Sequence, residues 1–193
     1  MGTVQGENPP RIRILVADDE SLSALAVIQA LKQLGYTPVG PARDGEHAIE
    51  LAFSQLPDLA LLDARMATET DGLDAAKALF GDLMLPVVII SAYTDAHQVS
   101  TAAQAGVFGY LVKPVTKDQL GPAIEVAWSR FNHYMAKEVQ VEVLRRNLQD
   151  RQELERAKWF LVEKHGLDES QAARELRRRA RLTGLTLAEV ARQ

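Results

Sequence analysis

Five short strand-like runs, most of them apolar throughout and each separated from the next by a stretch of helical spacing, constrain this chain more than any other feature. The runs are Ile12–Ala17, Thr37–Gly40, Leu59–Leu62, Pro86–Ser91 and Val107–Val112. A run that is apolar throughout, rather than alternating, reads as a strand covered on both faces. Pro38 suits the start of a strand or a sheet edge. Between the runs, Leu22–Leu34 stops at Gly35, and Asp44 can cap a helix that runs to Gln55. A further helix is predicted from about Gly72 to Phe80, and another over Asp95–Ala105, ending at Gly106. Strands alternating with helices predict an α/β domain, a doubly wound five-stranded parallel sheet.

After Thr116 no strand returns. From about Asp118 to Lys164 the only helix breakers are Gly121 and Pro122 near its start, which predicts one very long helix or two nearly collinear ones. Phe131, Met135, Val141, Leu144 and Leu148 form an apolar stripe of imperfect heptad spacing, suited to a pairing surface and a possible homodimer. Gly166 ends this segment, Asp168 or Ser170 can cap a helix over Ala172–Leu182, and Gly184 and Thr186 separate a short last helix over Leu187–Arg192. The tail is a small three-helix all-α unit, in which Trp159-Phe160 is expected to belong to the core.

Composition narrows the classes further. With 47% hydrophobic residues among 193, the chain can bury a core and is not disordered. No apolar run approaches the ~20 residues of a membrane span, and the start MGTVQGENPPR lacks an apolar signal region. The absence of cysteine excludes disulfides, thiolate metal sites and a cysteine nucleophile, and the expected location is cytoplasmic with no membrane partner. The net charge of −4 is divided: residues 1–144 carry −8 and residues 145–193 carry +4. A basic tail behind an acidic front suggests different partners for the two parts, nucleic acid among them.

Sites in open α/β sheets gather at the carboxyl ends of strands. There the first run delivers Asp18, Asp19 and Glu20, the third Asp63, the fourth Ser91 and the fifth Lys113-Pro114. Carboxylates converging at ~4 Å repel by roughly 4 kcal/mol per pair at an effective dielectric of ~20. Such a cluster calls for a hard divalent cation with oxygen ligands, Mg²⁺ being the usual one. A lysine and a small hydroxyl nearby suit tetrahedral oxygens, so the set describes a carboxylate, Asp63, that accepts a phosphoryl group.

In this order the residues from about Arg11 to Arg130 resemble the receiver domain of two-component response regulators. Tyr110, three residues before Lys113, matches the family's aromatic switch position. The resemblance implies that Asp63 is the phosphoacceptor and that Asp19 and Asp63 ligate Mg²⁺ directly, with Asp18 acting largely through water and the Arg65 backbone carbonyl as a further ligand. Ser91 and Lys113 would contact the phosphoryl oxygens, and a histidine kinase would be the partner. No enzyme is implied beyond slow loss of the chain's own phosphoryl group. After Asp63 relatives read D-x-x-M-P-x-x-D-G, whereas this chain lacks the proline and is one residue longer between Asp63 and Gly72.

The tail resembles the ANTAR module, a three-helix RNA-binding unit of transcription antitermination regulators. The similarity runs through Glu155-Arg156-Ala157-Lys158, His165-Gly166-Leu167, Gln171-Ala172, Leu176-Arg177-Arg178-Arg179-Ala180 and Ala188-Glu189-Val190-Ala191. Trp159 stands where relatives have glycine, and Ala173 where they often have an aromatic. The implied partner is hairpin RNA in a nascent transcript, contacted by Lys158, Arg174, Arg177, Arg178 and Arg181. The domains expected are a receiver over 11–128, a linker helix over 129–137 and ANTAR over 138–193. Two other readings stay open: a tail that binds a protein partner or controls dimerisation without nucleic acid, and a DNA-binding regulator.

Overall fold

The structure, a computed structural model, describes residues 12–66, 72–92 and 106–193. The helix expected over Asp95–Ala105 and most of the long loop before Gly72 lie outside the described residues. Five strands, β1 (Arg13–Ala17), β2 (Thr37–Ala42), β3 (Leu59–Asp63), β4 (Val87–Ser91) and β5 (Val107–Val112), form one sheet in the order β2-β1-β3-β4-β5. Every pairing is parallel. The helices are α1 (Ser21–Gln33), α2 (Gly45–Gln55), α3 (Gly72–Leu83), α4 (Lys117–His165), α5 (Glu169–Thr183) and α6 (Leu187–Ala191). The expected doubly wound parallel sheet, long helix and short terminal helices are all present.

The apolar runs explain why the sheet is covered twice. Successive residues of a strand point to opposite faces. Leu15, Ala17, Ala60, Leu62, Val87 and Ile89 therefore join one core, closed by Ala48 and Ala52 of α2 and by Ala75, Ala76 and Leu79 of α3. Ile14, Val16, Leu59, Leu61, Val88 and Ile90 join the other, closed by Val27, Ile28 and Leu31 of α1 and by Leu120, Ile124 and Ala127 of α4. Phe131 packs on Phe108 and Trp128, with ring centroids 5.5 and 5.9 Å apart. That member of the predicted apolar stripe is thus engaged with β5 and its own helix.

β2 runs two residues beyond the stretch expected from sequence. Leu15 pairs with Val39 and Ala17 with Ala42, so β2 holds one extra residue against β1. This bulge absorbs Gly40-Pro41 on an edge strand, where a missing donor is tolerated. Gly40 has φ +99°, and a Cβ there would lie 2.8 Å from the Val16 carbonyl oxygen, so only glycine fits.

The chain divides into two compact units between His133 and Tyr134. In the second, Leu161, Ala172, Leu176 and Val190 form a small core, with Leu154, Ala157 and Leu187 packed against it. Leu154, Ala157 and Leu161 are spaced three and four residues apart and share one face of α4. Trp159 and Phe160 do not belong to this core, contrary to the expectation from sequence: they are 71% and 55% exposed. Trp159 lies two residues from both Ala157 and Leu161, on the far side of the helix from them.

α5 starts three residues earlier than its apolar spacing suggests, because Asp168 and Gln171 form a reciprocal cap. Asp168 accepts from the Gln171 backbone N–H at 2.8 Å, and Gln171 Oε1 accepts from the Asp168 N–H at 2.9 Å. Thr186 and Glu189 repeat the arrangement at α6. With so small a core, the caps carry weight. Asp168→Ala should lower the stability of the helical unit by about 1 kcal/mol, while Asp168→Asn should largely retain it. Circular dichroism melts of the full chain check this, and equal midpoints for all three proteins would show the cap to be dispensable.

Candidate functional site

Asp18, Asp19 and Asp63 come together at the carboxyl edge of the sheet, where β1 and β3 lie side by side. One carboxylate oxygen from each lies within 4.8 Å of the others. Asp18 and Asp63 are buried, at 6% and 8% exposure, while Asp19 faces solvent. Lys113, just beyond β5, reaches between the buried pair: its Nζ donates to Asp63 Oδ2 at 2.5 Å and to Asp18 Oδ2 at 2.9 Å. Burial pushes the Lys113 ammonium down, but hydrogen bonds to Asp63 and Asp18 outweigh it and leave its pKa above the ordinary lysine value. Asp63 Oδ1 also accepts from the Arg65 backbone N–H at 3.1 Å. Ser91 is buried at the end of β4, and its carbonyl accepts from the Lys113 N–H at 2.8 Å. Tyr110 is half-buried in β5, against the core that holds α2 and α3.

Two residues of this pocket are not evident from the sequence. Ser23 Oγ donates to Asp18 Oδ2 at 2.6 Å, and the Glu20 N–H donates to Asp18 Oδ1 at 2.9 Å. Both oxygens of Asp18 are therefore engaged by protein donors, whereas Asp19 has no hydrogen-bond partner among the described residues. A serine shortly after an acidic pair is the only hint the sequence offers. Gly72, the first residue of α3, is the other. A Cβ there would sit 1.8 Å from the Asp63 carbonyl oxygen and 2.8 Å from its carbon. The start of α3 presses on the backbone of the aspartate itself.

In the helical unit, Arg174, Arg177, Arg178 and Arg181 are exposed and line one surface groove with Leu182. They are not electrostatically equivalent. Glu175 accepts from Arg178 Nε and Nη2 at 2.8 and 2.9 Å and from Arg179 Nε at 3.0 Å. These hydrogen bonds, Arg178 first, hold the Glu175 carboxyl well below the usual range, at about 2. Lys158 is half-buried, donates to Glu155 at 2.7 Å, and lines a separate groove with Trp159 and Glu169. Ala173 is half-buried on α5.

Comparison with known proteins agrees with both halves. Residues 14–125 match the response regulator receiver domain, and residues 142–193 match the ANTAR domain. The transcriptional regulatory protein PdtaR of Mycobacterium tuberculosis is 39% identical over 93% of this chain and 87% of its own length. The chain is a two-component response regulator with an ANTAR output domain. The chemotaxis protein CheY of Pseudomonas aeruginosa is 36% identical over 63% of this chain and 99% of its own. The solved receiver domain of the putative response regulator NarL from M. tuberculosis is 36% identical, with a TM-score of 0.59 over 63% of this chain and 98% of that one. Receiver domains hold Mg²⁺ in an acidic pocket. The all-oxygen donor set of Asp18, Asp19 and Asp63 fits that ion, with exposed Asp19 the carboxylate least committed to protein donors. No helix among the described residues is long and apolar enough to cross a membrane.

Two expectations follow for this response regulator. Gly72→Ala sets a methyl group against backbone that no side-chain rotation can relieve, so it should destabilise the receiver by about 1–3 kcal/mol or more. Urea unfolding measures it, and an unchanged midpoint would mean that α3 can slide freely. In the ANTAR domain, a carboxyl with a depressed pKa stabilises the fold above its ordinary value of 4.5, and that stabilisation is lost as pH falls through about 2. A carbon-detected NMR titration should find the Glu175 midpoint near this lower value. A midpoint near 4.5 would show that Arg178 and Arg179 stand free in solution.

Proposed function

We propose that this regulator accepts a phosphoryl group on Asp63 and thereby controls transcription antitermination, through binding of RNA hairpins by its ANTAR domain. The observation that carries the reading is the contact of Lys113 Nζ with Asp63 at 2.5 Å and Asp18 at 2.9 Å, beside solvent-facing Asp19. A carboxylate held next to a cation is suited to in-line attack on phosphorus, the donor's leaving group departing with its bonding electrons. The donor is a phosphohistidine of a cognate histidine kinase or a small acyl phosphate. Asp19 and Asp63, with Asp18 and the Arg65 carbonyl in support, would hold Mg²⁺, which would supply positive charge to the transferring oxygens. Lys113 turns from the carboxylates to a phosphoryl oxygen, and Ser91 Oγ donates to another. The added charge of about −1.5 to −2 draws Ser91 inward and lets Tyr110 rotate beside β5.

At the output end, Arg174, Arg177 and Arg181, joined by Arg178 and Lys158 when their glutamates release them, take RNA phosphates. Hairpin loops are the favoured target because they offer splayed bases as well as phosphates. A second reading, a tail that binds protein or pairs two copies through α4, is favoured by one observation. Val139, Val141, Val143, Leu144 and Leu148 are all exposed on that helix.

One experiment tests the whole. The chain is incubated with a small phosphodonor and Mg²⁺, then titrated with hairpin RNA and with duplex DNA at several salt concentrations. The parent should gain one hydroxylamine-sensitive phosphoryl group, and Asp63→Asn none. Phosphorylation should change hairpin affinity, and Arg177→Ala should flatten the log–log salt dependence by ~0.7. Label on Asp63→Asn would place the acceptor elsewhere, and a phosphorylated parent that ignores hairpins would leave the protein-partner reading.

A further inference from the structure

A groove of about 400 Å³ lies on the ANTAR unit apart from the α5 arginine groove. Its floor is Leu161 and Leu176, both buried in the core, and Phe160 and His165 stand over it. The two rings meet edge-on, centroids 6.1 Å apart and planes at 67°, so neither stacks on the other. Phe160 is 55% exposed although it adjoins the core, which leaves a large aromatic surface to solvent. Arg156 and Arg179 flank the groove. Arg179 gives only its Nε to Glu175, and Arg156 reaches Glu153 at the long distance of 3.5 Å, so most of both guanidinium edges remains for a further acceptor.

We propose that this groove takes one unpaired nucleobase of a bound RNA, stacked on Phe160, with the flanking phosphates on Arg156 and Arg179. The inference rests on the reading that this domain binds RNA. A ligand with a planar aromatic body and anionic edges matches an aromatic, apolar floor between two cations, and stacking of splayed bases on aromatic side chains is how single-stranded loops are recognised. None of the described side chains lining the groove is acidic. The neighbouring exposed aromatic, Trp159, fails this criterion. Its groove is lined by Glu155 and Glu169, whose carboxylates repel phosphate, and the lysine there already faces Glu155 at 2.7 Å.

The test pairs protein variants with abasic RNA. A hairpin is selected on the phosphorylated full-length parent from a fixed-stem library with a randomised loop, and each loop nucleotide is then made abasic in turn. One abasic position should weaken binding to the parent about tenfold or more. Phe160→Ala should weaken binding of the intact hairpin by a similar factor and show no further loss with that abasic RNA. Phe160→Tyr should restore the difference, and the salt slope should stay that of the parent, since no charge is removed. Circular dichroism verifies the fold, and Trp159→Ala should behave as the parent. If Phe160→Ala, folded, binds intact RNA like the parent, or loses the same factor as the parent on going to abasic RNA, the base is not on Phe160 and the proposal falls. It falls equally if Trp159→Ala, not Phe160→Ala, removes the sensitivity. A parent that selects no hairpin at all overturns the RNA-binding reading itself, a result distinct from either.

Discussion

The ammonium of Lys113 stands between two buried carboxylates that arrive on separate strands, and the carboxyl edge of the sheet is organised around it. Asp18 follows β1 and Asp63 ends β3, the two strands at which the order β2-β1-β3-β4-β5 reverses direction. That reversal opens a crevice in any doubly wound sheet, because the connections leave toward opposite faces. In this chain the crevice concentrates negative charge, and β5 carries the counter-charge from two strands away. A buried ion pair of this kind adds little net stability, since desolvation offsets most of the attraction. Its effect is on position: three segments far apart in sequence hold their polar groups in one place while each stays individually costly to bury.

The ANTAR unit solves a different problem. Its core contains four buried apolar side chains, Leu161, Ala172, Leu176 and Val190, too few to define helix ends by packing alone. Local chemistry does that work instead, through reciprocal caps at Asp168 and Thr186 and left-handed glycines at 166 and 184. The ion pair between Arg192 and Asp150 ties the end of α6 back to α4. On the surface, Glu175 engages Arg178 through two nitrogens and Arg179 through one, so a single carboxylate offsets part of the positive charge carried by the arginines of α5.

Much of the architecture was legible because strand ends and helix stops are written locally. The polar residues that close the apolar runs are the ones that meet at the sheet edge, since a parallel sheet sends every carboxyl end to the same side. The β2 bulge was not legible: Gly40-Pro41 reads as a strand terminator until the edge position of β2 is known. Hydrophobicity alone places Trp159 and Phe160 in the core, whereas the helical phase of Leu154, Ala157 and Leu161 turns the core face away from Trp159 and leaves Phe160 at its edge. The contact of Gly72 with Asp63 and the grip of Ser23 on Asp18 depend on distances that only the folded backbone sets. The engagement of Arg178 and Arg179 by Glu175 is a matter of rotamers, and no pattern of residue types encodes it.

From Ala136 to Gln149 every residue of α4 is exposed, so no apolar core covers that stretch. Its conformation there is governed by helix–coil statistics. Ordinary residues propagate a helix with an equilibrium constant near one, and the β-branched Val139, Val141 and Val143 fall below the better helix formers. What keeps the stretch helical is that nucleation, the expensive step, is already done by the packed turns before and after it. A segment held in this way answers in proportion to small changes in solvent or in the covering of its valines and leucines. A packed core unfolds cooperatively, whereas a helical stretch without one exchanges helix for coil in small steps.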